Sequence, residues 1–442
     1  MGALIKFLRI FYQEEGCEVK WVKWVLLLAM LLSISVMASK IKLVVWCGGG
    51  TEREGLEAAI AEYKKQNPDV DFELVDVPYA QYEQKVRLGI MSGDLPDLVT
   101  ITYPYAPGYM QYMIDLRPYI QKYLGITPEK YLDAMYDVAA VRIVDTNGEI
   151  RYVPLHFTMQ CLWVNADYFK KAQVPFPPFG GRSDPWTWEE FVEVLRKVKQ
   201  ANNLPYAMSM QRTAERLFNY LGIRGVKILD ENLDFTLDKD PRAKKVLEEF
   251  VNLFKENLMV PAEWIAAQDP NMAFTGGLTA VLWAGSWSTL DLLKAEKNFV
   301  PAYLPKDVEW LSCEGGRFFG AFKTGKKDRE EAAAKFALWV GWKNLGYDIY
   351  LKKTYHMSAY EEHEVDYDRE IMKQVQAVCG RLAEVTPNWV VTVRNSTIYS
   401  RLQTPIVNQI SAVIAGQISL DEAIKNLRKE YDKLVAELGG KK

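Results

Sequence analysis

Apolar and polar positions alternate along this chain in two periods. The run KLVVW over 42–46 is apolar after Lys42 and is followed by three glycines, Gly48, Gly49 and Gly50, which predicts a buried strand running into a turn. Directly after it, Leu56, Ala59, Ile60 and Tyr63 recur at helical spacing until Pro68 stops the pattern. VDFELVDV then predicts a strand, YEQKVRLGIMSG a helix, and DLVTI a third strand. Strand, helix, strand, helix, strand implies a parallel sheet with right-handed crossovers, in which ligands gather beyond the carboxyl ends of the strands. The loops at that edge are 47–52, with Thr51 and Glu52, and 102–105, with Tyr103 and Tyr105.

A second informative stretch is TGGLTAVLWAGSWSTLDLL, 275–293. Gly276 and Gly277 mark a turn, Ala280 to Trp283 read as a short strand, and a helix follows. Between them stand Gly285, Ser286 and Trp287, so an indole sits at a strand-to-helix junction, where it can bury the C–H face of a pyranose. The competing reading places Trp283 and Trp287 both in a core. Helix starts are marked by Thr187 with Glu190 and by Ser419 with Glu422, both S/T-x-x-E capping boxes. Asp240–Pro241 is read as the cap and first position of AKKVLEEFVNLF, and Asp328 as the cap of REEAAAKFALWV. PPFGGRSDP, 177–185, is a surface loop.

The opening 39 residues follow another logic. Lys20 and Lys23 precede the apolar run from Trp24 to Met37, followed by Ala38 and Ser39, which reads as a secretory signal with cleavage after one of those small residues. The run is short for a membrane span, an uncleaved anchor being the alternative, and the eighteen residues before Val19 are an unusual extension. The remainder of the 442-residue chain, 49% hydrophobic, is long enough for two cores. The full chain's formal charge of -3 comes from interspersed acids and bases, which gives no footprint for nucleic acid. Thirteen Trp and 24 Tyr suit stacking surfaces. Five cysteines, Cys17, Cys47, Cys161, Cys313 and Cys379, show neither CxxC nor zinc spacing, and Cys47 reads as a strand residue because its surroundings make a poor lipobox.

The opening strand, the helix ending in QNPDV, the second strand and SGDLPDLV resemble the bacterial extracellular solute-binding proteins, the family that includes the maltose-binding protein. The similarity continues through YVPLHFTMQCLWVNADYFKKAQV, PWTWEEFVEVLRKVK, FTGGLTAVLWAGSW, GGRFFGAF and GQISLDEAIKNLRKEYDKL, in that order. It implies an α/β, two-lobed periplasmic binding protein fold of the class II type, its ligand cleft lying between lobes joined by hinge crossings. Those crossings fall near 154–158, 318–322 and 355–358, with one lobe formed by 40–155 plus 320–355 and the other by 156–319 plus 356–442. The implied ligand site comprises Trp287 as stacking platform with Trp283 and Ser286, Thr51, Glu52, Tyr103 and Tyr105, Phe157 and Thr158, Gln211 and Arg212, and Trp389 and Arg394. Trp46 and Trp163 are expected in the core, and Arg212 and Arg394 keep a carboxylate or phosphate ligand open through bidentate pairing.

Other motifs weigh less. GAFKTGKK, 320–327, approaches a phosphate-cradling loop but carries Lys327 where a hydroxyl should hold magnesium. His356, Glu361, Glu362 and His363 lack the HExxH spacing, so no metal or other cofactor is expected. No GxSxG is present, and a glycosidase pair such as Glu52 with Asp97 would need two carboxyl groups at a fixed separation. The resulting expectation is an exported, monomeric, non-catalytic receptor of an ABC importer that binds a carbohydrate and delivers it to permease subunits. A receptor for a glycerol phosphodiester, peptide or polyamine, and a glycoside-active enzyme, are the alternatives.

Overall fold

The computed structural model describes residues 40–439, apart from Pro78 and Pro104. The signal segment and Cys17 lie outside the described residues. Strands β1 (Ile41–Cys47), β2 (Val70–Asp76) and β3 (Leu98–Thr102) alternate with the helices Thr51–Gln66 and Tyr79–Ser92, as the apolar periods require. β1 pairs parallel with both β2 and β3. Leu56, Ala59, Ile60 and Tyr63 all face the core.

The chain then crosses. β4 (Tyr152–Asn165) is buried along its whole length, and at about 3.3 Å per residue its fourteen residues reach roughly 46 Å, enough to serve two groups of strands. Its first half pairs antiparallel with β8 (Glu314–Ala321), which in turn pairs antiparallel with β3. Its second half pairs with β6 (Val281–Gly285) and β7 (Phe299–Ala302), and β5 (Met208–Met210) lies parallel to β6. The order across the sheet is therefore β2-β1-β3-β8-β4-β6-β5, with β7 on β4. Pro154 interrupts the β4–β8 ladder at a register shift, where its missing N–H costs no bond. A third segment joins these two at Met357, whose carbonyl accepts the Phe157 N–H at 3.0 Å. Phe157, Gly316 and Met357 thus lie side by side, while Phe318–Ala321 pairs with β3 and with the start of β4.

Local signals were mostly sufficient for helix boundaries. The Thr187–Glu190 capping box is complete, and Ser419 accepts from the Glu422 N–H. Two expected caps differ. The helix Ala243–Lys255 starts later than Pro241, because Asp240 takes the Arg242 N–H and pairs with the Arg242 guanidinium. Asp328 lies inside the first turn of Lys327–Gly341, whose entry is fastened by Glu330 accepting from the Gly325 N–H at 2.7 Å. The placement of Phe318–Ala321 in β8 and of Lys327 at a helix start leaves GAFKTGKK as a strand-to-helix junction. Cys47, Cys161, Cys313 and Cys379 are buried and unpaired, Cys47 closing β1. Trp163 and Trp46 lie in the core, as expected. Among the described residues no helix is long and apolar enough to cross a membrane.

Candidate ligand cleft

β6 ends in a tight junction. Gly285 is extended and followed by a single 3-10 turn, Ser286–Ser288, then by the helix Thr289–Lys294. The turn places the Trp287 indole back over Gly285, so closely that an added Cβ would come within 2.1 Å of the ring. Two bonds fix the junction: Trp163 donates to the Gly285 carbonyl at 3.0 Å, and Ser286 Oγ accepts from the Met159 N–H at 3.3 Å. Trp287 itself is only half-buried. The Arg216 guanidinium lies 4.7 Å from the centre of its ring and donates from Nη2 to Gln211 Oε1 at 3.3 Å.

Behind this platform lies a buried network of charges. Arg394 is held between Glu215, with Nε to Oε2 at 2.6 Å, and Glu314, with Nη1 to Oε2 at 2.5 Å. Arg142 pairs with the other Glu314 oxygen. Burial disfavours the Arg394 charge, yet Glu215 and Glu314 outweigh it and raise its pKa. Arg216 is pushed down to about 10 by burial, with Arg394 adding to the effect. Burial also lowers Arg142, opposed by Glu314 and reinforced by Arg394. Tyr103 closes the other side, stacked on Phe318 at 3.9 Å and 9° with the Arg142 guanidinium 5.8 Å from its ring centre. Hydroxyl or guanidinium nitrogen atoms of Tyr103, Arg142, Arg216 and Tyr399 are buried without a hydrogen-bond partner among the described residues. Of these, the Arg216 guanidinium lies against the indole, and a buried donor without a partner beside an aromatic face is suited to a ligand rich in acceptor oxygens.

Trp287 and Gln211 meet at Arg216, Arg394 lies in the charge network and Tyr103 beside Arg142, while other expected site residues have different surroundings. Trp283 is fully buried and donates to Gln160 at 3.1 Å, so it is a core residue. Ser286 is a buried fastener of the turn. Phe157 and Thr158 are buried on β4, Phe157 stacked against Tyr136 at 5.4 Å. Glu52 accepts from the Gly48 N–H and the Thr100 hydroxyl and pairs with Arg317 at 2.5 Å, and Thr51 opens the same helix half-buried. Arg212 spans to Ser411 and Asn408 of the helix Thr397–Ile414. Trp389 donates to Glu309 and packs on Phe218 at 5.5 Å, under Lys227. Tyr105 is half-buried beside the short helix Ala106–Tyr109.

Arg142, Glu215, Arg216 and Glu314 were missed from sequence. Arg142 interrupts the apolar run VRIV, which was the available signal; Glu215, Arg216 and Glu314 stand in the mixed stretches QRTAERLF and SCEGGR and offered none. His363 pairs with Asp348, whereas the His356 ring packs 3.9 Å from that of His156. No group of metal-ligating side chains occurs among the described residues. Asp97 is likewise committed, to Arg329 at 2.8 Å and to the Val44 N–H at 2.7 Å.

The family model for bacterial extracellular solute-binding proteins matches residues 49–341. The chain belongs to that family. Among curated solute-binding relatives, it is 24% identical to the lactose-binding protein of Rhizobium radiobacter, over 65% of each chain, and 25% identical to the multiple sugar-binding protein of Streptococcus mutans, over 35% of this chain and 33% of that one. The matches therefore span less than two thirds of these relatives. In fold, the solute-binding protein resembles the Listeria monocytogenes substrate-binding protein Lmo0181 in complex with cycloalternan, with TM-score 0.73, 19% identity and coverage of 90% and 99% of the two chains. It also resembles maltose-bound MalE3 of T. maritima, with TM-score 0.71, 20% identity and coverage of 89% and 100%. The fold is thus the α/β two-lobed one of maltose-binding-type proteins, with the β4–β8 ladder and the Met357 segment at its crossing.

Proposed function

We propose that this solute-binding protein is the exported receptor of an ABC importer, binding a carbohydrate between two lobes and passing it to membrane permease subunits as a monomer without catalysis. The carrying observation is Trp287: a half-exposed indole fixed over Gly285 beside the buried Arg216 guanidinium. An aromatic face together with a buried donor matches the two sides of a sugar. The names of the lactose-binding, multiple sugar-binding and cycloalternan-bound proteins support the same class. In this reading 40–155 plus 320–355 form one lobe and 156–319 plus 356–442 the other. Ligand contacts made from both sides favour the closed arrangement, and closure is driven by that differential affinity. Commitment of Glu52 and Asp97 to Arg317 and Arg329 supports the non-catalytic reading. Export rests on the N-terminal signal pattern.

A thermal-shift screen tests the reading, with mono- and oligosaccharides against amino acids, polyamines and glycerol phosphates. A sugar at a hundred times its dissociation constant should add about 2.7 kcal/mol, a rise of a few degrees. In Trp287→Ala that rise should largely vanish while the ligand-free melting temperature falls little. A response confined to charged non-sugar solutes, or recovery of cleaved sugar, would overturn the assignment.

A further inference from the structure

The charges beneath Trp287 do not balance. Arg142, Arg216 and Arg394 share two carboxylates, Glu215 and Glu314, and both of these engage Arg394, with Arg142 on the second. Arg216 is left over. It is 4% exposed, its Nη2 hydrogen-bonds the neutral Gln211, and its Nε has no hydrogen-bond partner among the described residues. A buried guanidinium without a counter-charge is costly, and the planar fork is matched by a carboxylate that it can engage through two parallel bonds. Its guanidinium lies over the Trp287 ring, 4.7 Å from the ring centre, so a carboxylate received by Arg216 would sit beside the indole.

We propose that the cleft selects a carbohydrate carrying one carboxylate, a uronic acid unit, and that Arg216 receives that carboxylate. The inference rests on the carbohydrate-receptor reading above and adds to it the charge of the ligand. One negative charge completes three cations against three anions. A phosphorylated sugar brings nearly two and leaves the buried set anionic, and a neutral sugar leaves Arg216 uncompensated. Arg394 and Arg212, the arginines that the sequence pointed to, are already engaged, the first by two carboxylates and the second by Ser411 and Asn408.

Titration calorimetry of the purified protein with matched probes tests the proposal. The pairs are glucuronate with glucose, galacturonate with galactose, and digalacturonate with α-1,4-galactobiose, with glucose 6-phosphate as the doubly charged control. In at least one pair the acid should bind about tenfold or more tightly than its neutral partner, the scale of one charged hydrogen-bonded contact. Arg216→Gln should erase that advantage, and Arg216→Lys should keep part of it. If a neutral sugar binds as well as its acid, or the phosphate binds best, the charge assignment falls and the carbohydrate receptor stands. Silence across every sugar overturns both readings. The wild-type comparison decides even if Arg216→Gln fails to fold, which a circular-dichroism melt reports.

Discussion

Two imidazoles meet where the crossing segments converge. His156 on β4 and His356 on the third crossing lie with ring centres 3.9 Å apart, and His156 Nδ1 is 3.0 Å from the Tyr350 hydroxyl. Around them stand Arg317 of β8, paired with Glu52, and Tyr367, which donates to the His356 carbonyl. Burial, then Arg317, pushes His356 down to about 4; burial, then His356 and Arg317, holds His156 well below the usual imidazole range. In the unfolded chain these groups titrate near 6.5, so between about pH 6.5 and 4 the unfolded state binds more protons. Stability should therefore fall as pH drops through that window and be insensitive to these groups above it. Melting temperatures from pH 7.5 to 4 should show this slope, reduced in His356→Gln. An unchanged slope in the variant would assign the acid sensitivity to the carboxylates instead. Nothing in the sequence pairs His156 with His356, two hundred positions apart; only the meeting of the crossings does.

At the scale of elements, the β4–β8 ladder is the part that the fold can least afford to disturb. Gly316 adopts φ +130°, and an added Cβ would stand 2.3 Å from the His156 carbonyl oxygen. Neither the backbone conformation nor the space admits a side chain, because two crossing strands are pressed together there. Gly316→Ala should lower the melting temperature by several degrees, on the order of 2–3 kcal/mol, and weaken ligand binding through the displaced ladder. Unaltered thermal melting would show that the strands have room to part. Periodicity made most elements legible: the first three strands and two helices follow from apolar spacing, and the Thr187 box from a local exchange of hydrogen bonds. Starts that depend on competing local partners were less legible. Asp240 has its own neighbour Arg242 to bind, and Glu330 reaches back to Gly325 from within its helix.

On the scale of the whole molecule, three chain segments cross between the two groups of strands, which defines an axis about which they can turn. Small-angle scattering should show a smaller radius of gyration on saturation with a binding sugar. An identical profile with and without bound sugar would refute hinged closure and leave a rigid pocket. The sequence by itself determined the order of the first strands and helices and the indole at the β6 junction, because apolar period and glycine turns are properties of neighbouring residues. Tertiary structure alone decided which chemistry surrounds that indole. It sent Trp283 to the core and Arg212 to the Thr397–Ile414 helix, and it brought Arg142, Glu215, Arg216, Glu314 and Arg394 from four distant segments into one buried set. Whether a charge is solvated or buried against another depends on what the fold packs over it, and that is not written in the spacing of any one segment.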